Sequence, residues 1–432
     1  MSLMNLSPGT AQRRPPAASP EHTISSLEGR LLRQLLGMLG DPPIRLQLWN
    51  GEAVAPPAAT PLATFGIADR GALLRLIADP EMQLGEMYTV GRVTLVDGDL
   101  VAALQQVFQR QSRAVMSRGV AARVAKGLGR SRRNSVAGSR RNIHDHYDIG
   151  NDFYRLWLDP SLSYTCAYFP TPAATLLEAQ IAKLDHVCRK LRLREGDELI
   201  EAGCGWGSLA LHAASRYGAR VRAYNISREQ VALARERAQR AGLADRVEFI
   251  EDDYRNIRGT CDAFASVGML EHVGPENYHE LGRVIARTLR PSGCGLIHTI
   301  GRNTPQPINR WIRRRIFPGS YIPSLMEMME IFEPAGMSVL DVENLRPHYA
   351  RTLQLWLAAF ERERATVQKM FDERFVRMWR LYLAGSQAGF QAGHMQLFQV
   401  VFAPAQNTQI AWTREHLYPH NQAEQKWTAA TS

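Results

Sequence analysis

The stretch DELIEAGCGWGSLA (Asp197–Ala210) runs from an apolar, β-prone segment, through three glycines, into a helical pattern. Gly203, Gly205 and Gly207 alternate with other residues to give GxGxG. Lacking Cβ, these positions permit positive φ and let a ligand approach the backbone. A helix that begins directly behind such a loop favours a negative group at its N-terminus. A strand, a glycine loop and a helix in this order predict an α/β fold, so the neighbouring segments decide whether the pattern continues.

It continues in both type and length. GSLALHAASRYG reads as a helix ended by Gly218, and ARVRAYNIS as the next strand. REQVALARERAQRAG is a helix ended by Gly242, RVEFIEDD a strand, and CDAFASVG another. ENYHELGRVIARTLRPSG reads as a helix closed by Pro and Gly, followed by the strand CGLIHTIG. HMQLFQVVFAP is apolar and is expected to return as an antiparallel strand. The expected fold is α/β, a doubly wound Rossmann-like sheet, with its ligand at the carboxyl ends of the strands.

Glycine loops of this kind serve NAD, FAD and S-adenosylmethionine alike. The dinucleotide fingerprint wants a third glycine where this chain has Ser208. Asp253 stands at a strand end in EDDYRN, where an acid can accept from an adenine amine. The second strand ends at Tyr224-Asn225, with no acid for a ribose. These points favour S-adenosylmethionine over NAD, and hence a methyltransferase.

The other regions are less regular. Of 432 residues, 45% are hydrophobic and 22% charged, the balance of a globular protein. No apolar run approaches the ~20 residues of a membrane span, and the N-terminus does not read as a secretory signal. Residues 1–24, rich in Pro, Ala and Ser, are expected to form a disordered tail. Residues 25–109 read as a small α+β unit with helices in SSLEGRLLRQLLGML, GALLRLIADP and LVAALQQVF. IRLQLWNGEAV within it is a strand that ends at an Asn-Gly turn. The five cysteines are scattered without zinc-ligand spacing, which predicts reduced thiols in a cytoplasm. The net charge of +10 equals the ten basic residues between Arg110 and Arg141, a stretch free of Asp and Glu. That stretch reads as a basic linker over 110–141, either solvated or an arm for an anionic surface. It lacks nucleic-acid motifs, so lipid is preferred and no nucleic acid is expected as a partner.

Four motifs then occur in one order: HYDIGNDFYRLWLDPSLSYTCAYF (146–169), GCGWG (203–207), SVGMLEHVGPENY (266–278) and HTIG (298–301). Together they resemble the cyclopropane fatty acid synthase family, which includes the mycolic acid cyclopropane synthases. The likeness runs from about Asn142 to the C-terminus, and MQLGEMYTVGRVTL adds a weaker likeness to that family's N-terminal lipid-binding domain. The resemblance implies a catalytic domain over 142–432. It implies methyl transfer from S-adenosylmethionine to the cis double bond of an unsaturated phospholipid acyl chain. A bound bicarbonate would then remove a proton to close a cyclopropane ring. It places that anion at the backbone N–H groups of Cys166 and Ile300 and the side chains of Glu271, His298 and Tyr349. It carries the cofactor contacts to Tyr164, Thr165, Gly203, Gly205, Gly207, Asn225, Gln230, Asp253 and Tyr254. Asn225 and Tyr224 depart from the family's usual threonine and glycine. A homodimer, and a cytoplasmic enzyme peripheral on the inner face of the cell membrane, are also implied. A methyl-branched or methylene product, a methyltransferase for a soluble acceptor and a non-catalytic lipid-binding protein stay open. His144, His272 and His348 read as core histidines, and Cys204 and Trp206 as packing at the loop. NRWIRRRIFPGSYIP (309–323) reads as a helix with an apolar stripe and a basic flank, lying either on a membrane or on the core.

Overall fold

The structure is a computed structural model that describes residues 26–57, 60–117 and 149–418. The expected tail at 1–24, the basic segment from 118 to 141 and His144 lie outside the described residues.

The first unit is a four-stranded sheet with helices. Its strands are β1 (Arg45–Leu48), β2 (Ala53–Val54), β3 (Ala63–Ile67) and β4 (Val93–Gly98), in the order β2-β1-β3-β4. β1 and β2 form the hairpin expected across Asn50-Gly51. The helices are Leu27–Met38, Arg70–Ala78, Pro80–Thr89 and Leu100–Ser117. The last runs eight residues past the expected linker boundary at Arg110, because no Gly or Pro interrupts QRQSRAVMS.

The second unit holds a seven-stranded sheet. Its strands are β5 (Glu198–Ala202), β6 (Arg220–Asn225), β7 (Val247–Glu251), β8 (Cys261–Val267), β9 (Leu289–Gly301), β10 (Met337–Asn344) and β11 (Gln396–Pro404). The order is β10-β11-β9-β8-β5-β6-β7. β5 to β9 pair in parallel, and β11 is antiparallel to both its neighbours, as its sequence predicts. Parallel strands are covered on both faces, so they read as apolar runs; four of the five residues of β5 are buried. The strand order reverses beside β5, which puts the glycine loop after β5 at the switch point of the sheet.

Two readings of the sequence are corrected here. The helix expected to run to Gly293 ends at Thr288, and β9 already begins at Leu289. Leu289 pairs with Cys261 and Cys294 with Ala263, so the segment between bulges out of register. Pro291, which has no N–H for a ladder, is accommodated in that bulge. β10 was not expected at all. Its residues are mostly half-buried and lack the alternation of a one-sided strand.

The two units share one core. Leu35, Leu73 and Leu104 belong to the same buried cluster as Trp157, Trp356 and Trp379. Helix Glu373–Gln391 packs on helices Pro80–Thr89 and Leu100–Ser117. The short helix Arg310–Arg315 settles the two readings of its stretch. Trp311 and Ile316 are buried, and Trp311 lies so close to Gly85 that a Cβ there would sit 2.4 Å from the indole. Arg310 Nη1 pairs with Asp79 (2.8 Å) and Arg315 with both oxygens of Glu86 (2.7 Å each). Its apolar stripe therefore faces the first unit and not a membrane.

Candidate active site

The glycine loop is fixed from behind. The N–H groups of Gly203 and Cys204 both donate to the Tyr224 carbonyl at the end of β6 (2.9 and 3.0 Å). Asn225 Nδ2 donates to the Gly205 carbonyl (3.2 Å) and to Gln230 Oε1 (2.8 Å), while its Oδ1 accepts the Ser227 N–H (3.1 Å). Asn225 therefore braces the loop as well as lining the groove. Gly203 and Gly205 have φ of 86° and 54°. A Cβ on Gly205 would meet nothing within 4 Å, since it would project into open groove. Gly207 differs: its Cβ would lie 2.5 Å from the Phe249 ring, so this glycine serves close helix–sheet packing away from the groove.

A cavity of about 110 Å³ follows this loop, lined among others by Tyr164, Thr165, Gly203, Gly205, Asn225 and Gln230. A smaller one continues it beneath Gly203 and Asn225 to Asp253 and Tyr254. Asp253 is held by Arg255 (Nε–Oδ1 2.7 Å, Nη2–Oδ2 2.8 Å), so both oxygens already have a donor. Two residues that carried no expectation line the groove. Glu201 is 2% exposed and its Oε2 has no hydrogen-bond partner; burial pushes its pKa up to about 7. Lys183 donates to Thr165 Oγ1 (2.8 Å), and burial brings its pKa down to about 8. Lys183 was legible in principle. In LLEAQIAKLDHVCRK it shares one face with Ala179 and Val187, which makes it a charge on the apolar side of a helix.

A second, largely apolar cavity of about 220 Å³ lies next to the groove. Cys166, Glu271, His298, Ile300 and Tyr349 all line it, so the structure brings these five together from four separate segments. Leu84, Gly85, Leu104 and Phe108 of the first unit form part of its wall. Tyr164, Thr165, Gly268 and His272 line both cavities. His272, read from sequence as a core histidine, is thus a partition residue; burial lowers its pKa to about 4 and keeps it neutral. His348 does act structurally, with Nδ1 accepting the Phe169 N–H (2.9 Å).

The polar groups of the apolar cavity are few and specific. Glu271 Oε1 accepts the Ile300 N–H (2.7 Å), so that backbone donor is already used. Glu271 Oε2 is buried without a partner, and burial raises the pKa of this carboxyl. His298 Nδ1 lies 3.0 Å from Gln399 Nε2. With that amide donating to Nδ1, the ring proton sits on Nε2, which is buried and unpartnered. Burial and the nearby Lys183 and Lys190 hold the His298 pKa well below its usual value, so the imidazole is neutral. Cys166 is fully buried with its thiol pKa raised, which excludes a resting thiolate. Tyr349 packs edge-on to Trp356 and against Phe390 at the cavity wall. Among the described residues no cluster of His, Cys, Asp and Glu could hold a metal, and no helix is long and apolar enough to cross a membrane.

The sheet order, the braced glycine loop and the groove at the switch point form a Rossmann-like fold, and the family and solved structures it matches make it an S-adenosylmethionine-dependent methyltransferase. The mycolic acid cyclopropane synthetase family matches residues 134–400, more than half of the chain. The chain belongs to that family. It is 36% identical over 389 residues to a probable fatty acid methyltransferase of Pseudomonas putida, covering 87% of this chain and 96% of that one. It is 40% identical over 260 residues to cyclopropane-fatty-acyl-phospholipid synthase of Escherichia coli, covering 60% of this chain and 66% of that one. The solved structure of mycolic acid cyclopropane synthase CmaA1, complexed with SAH and CTAB, matches with 31% identity and a TM-score of 0.58, over 61% of this chain and 97% of that chain.

Proposed function

We propose that this protein is a cyclopropane fatty acid synthase acting on the cis double bond of an unsaturated phospholipid acyl chain. One observation carries the reading. In a largely apolar cavity, a carboxylate oxygen (Glu271 Oε2) and an imidazole N–H (His298 Nε2) are buried without partners, beside the cofactor groove. An alkene is a poor nucleophile, so its methylation needs a dry, aligned site. The positive charge that follows on the acyl chain needs an adjacent negative group and a base.

S-adenosylmethionine supplies an electrophilic methyl group. The loop from Gly203 to Gly205, with Gln230, Asp253 and Tyr254, fits such a cofactor, and Glu201 Oε2 offers an acceptor for its ammonium. The apolar wall, part of it from the first unit, excludes water and aligns the acyl chain. Ring closure requires a proton to leave the added methyl carbon. Glu271 Oε2 would accept an O–H and His298 Nε2 would donate, which together suit a small protonated oxyanion such as bicarbonate. Ile300 would contribute through Glu271, since its N–H is already given there. Cys166 and Tyr349 would complete the set by a backbone N–H and a phenol.

A second reading shares the first step: the cation rearranges and loses its proton elsewhere, giving a methyl-branched or methylene chain. The name of the near full-length Pseudomonas relative favours keeping it. Expression in a host rich in monounsaturated lipid, with gas chromatography and proton NMR of the fatty acids, separates the two. Ring hydrogens are expected; their absence with methyl-branched or methylene product would install the second reading.

The charge state of Glu201 gives a pH expectation. Its pKa of about 7 lies above the usual carboxyl range. As pH falls from 8 to 6 it takes a proton and loses its pairing with an ammonium. Affinity for S-adenosylhomocysteine, measured by calorimetry, should weaken by up to ~10-fold per pH unit on the acid side. Glu201→Gln should bind more weakly at pH 8 and lose the slope. An unchanged slope in that variant would remove Glu201 from the cofactor site.

A further inference from the structure

Just past the end of β9, a third side chain lines the apolar cavity: that of Arg302, which forms an isolated parallel bridge with Ser324. His298 and Ile300, two apart in β9, fall on one face of the strand, and Arg302 follows at the same spacing beyond its end; all three line the cavity. Arg302 is 4% exposed. Its Nη1 donates to the carbonyl of Pro307 (2.9 Å) and more distantly to that of Gln306 (3.4 Å). Its Nε is buried without a partner, and no carboxylate among the described residues pairs with the guanidinium. Glu81 lines the same cavity, yet its Oε1 accepts the Arg310 N–H (2.8 Å). Burial lowers the Arg302 pKa only to about 10, so the group stays charged at neutral pH.

A buried cation with unmet donors is costly unless an anion completes it. Bracing two carbonyls uses one nitrogen and does not call for a guanidinium. The bonded loop is exposed at Asn303, Thr304 and Pro307, which sets Arg302 one layer beneath the surface. Two residues along a strand put it ~6.6 Å beyond Ile300, before its own length is added. That leaves room for several methylenes between an anionic head and the reacting carbons. The planar fork of arginine matches two oxygens of a phosphate or carboxylate.

We propose that Arg302 anchors an oxyanion of the acyl substrate, the phosphodiester of a phospholipid or the carboxylate of a fatty acid. This rests on the lipid reading above. A fluorescent polyene acyl chain tests it in three forms: the free acid, its phosphatidylglycerol ester and the neutral alcohol. Titrated into the full-length protein, at least one anionic form should bind ~10-fold tighter or more than the alcohol. Arg302→Met should bring that form to the alcohol's affinity and leave the alcohol unchanged. Arg302→Lys, which keeps the charge, should retain part of the preference and controls for folding. Loss confined to the ester identifies the phosphate as the anion, and loss confined to the acid identifies the carboxylate. Equal binding of all three forms by the wild type, or an equal drop for all three in Arg302→Met, would overturn the proposal and leave Arg302 as a loop brace. Methyl transfer to oleoyl phosphatidylglycerol vesicles is measured in parallel. A wild type with the anion preference but no transfer would sink the enzymatic reading alone; transfer without the preference would sink the anchor alone.

Discussion

Glu271→Gln is expected to lower methyl transfer to phospholipid vesicles by about 10²–10⁴-fold, the range for removing a group that holds or performs proton transfer. The exchange is nearly isosteric. A Gln Oε1 can still accept the Ile300 N–H that Glu271 now accepts at 2.7 Å, so the local backbone should hold. What disappears is the buried carboxylate oxygen that faces the cavity unpartnered. Affinity for S-adenosylhomocysteine should stay within about twofold, because Glu271 lines the acyl cavity and not the groove. His298→Ala should act in the same direction by removing the Nε2 donor. Vesicle assays with radiolabelled methyl donor read the first effect and calorimetry the second. Full activity in either variant would mean that the proton leaves by another route.

The second large effect concerns the first unit. Removing residues 1–117 should abolish lipid methylation, a loss of more than ~100-fold, while cofactor binding survives. Every groove residue named above comes from beyond residue 160, whereas the acyl cavity takes Leu84, Gly85, Leu104 and Phe108 from the deleted part. The deletion also uncovers Trp311, now 4% exposed and packed on Gly85. Burial of such a side chain contributes ~1.5–3 kcal/mol, so the truncated chain should bind apolar dyes and tend to aggregate. A truncated protein as active as the whole would show that the wall is dispensable.

The fold was largely legible because its cues are local. The glycines at 203, 205, 207, 218 and 242 mark turns, and buried parallel strands leave unbroken apolar runs. The failures have physical causes. A Pro-Ser-Gly segment that usually closes a helix sits instead in a strand bulge, which no local pattern announces. β10 is a half-buried edge strand whose partner, β11, lies far along the chain. Cys166, Glu271, His298, Ile300 and Tyr349 were placed by resemblance to a family's motifs, and the structure gathers these five around one cavity. Roles within the site were less legible. Asn225 as a loop brace, Ile300 N–H bonded to Glu271, and His272 as a partition depend on contacts between distant segments. Arg302 carried no expectation from the sequence, and its burial is what sets it apart.

The position of β11 bears on when the protein becomes competent. Among the described residues it is the last strand, yet it lies between β9 and β10 and is the strand that joins β10 to the rest of the sheet. It also carries Gln399, which sits directly opposite His298 in register and orients the imidazole. A chain emerging from a ribosome folds from its N-terminal side first. Its glycine loop and cofactor groove can form early, but the His298 proton has no fixed place until Gln396–Pro404 has been synthesised and inserted. A chain that lacks β11 is therefore expected to hold cofactor while its His298 side chain stays unoriented.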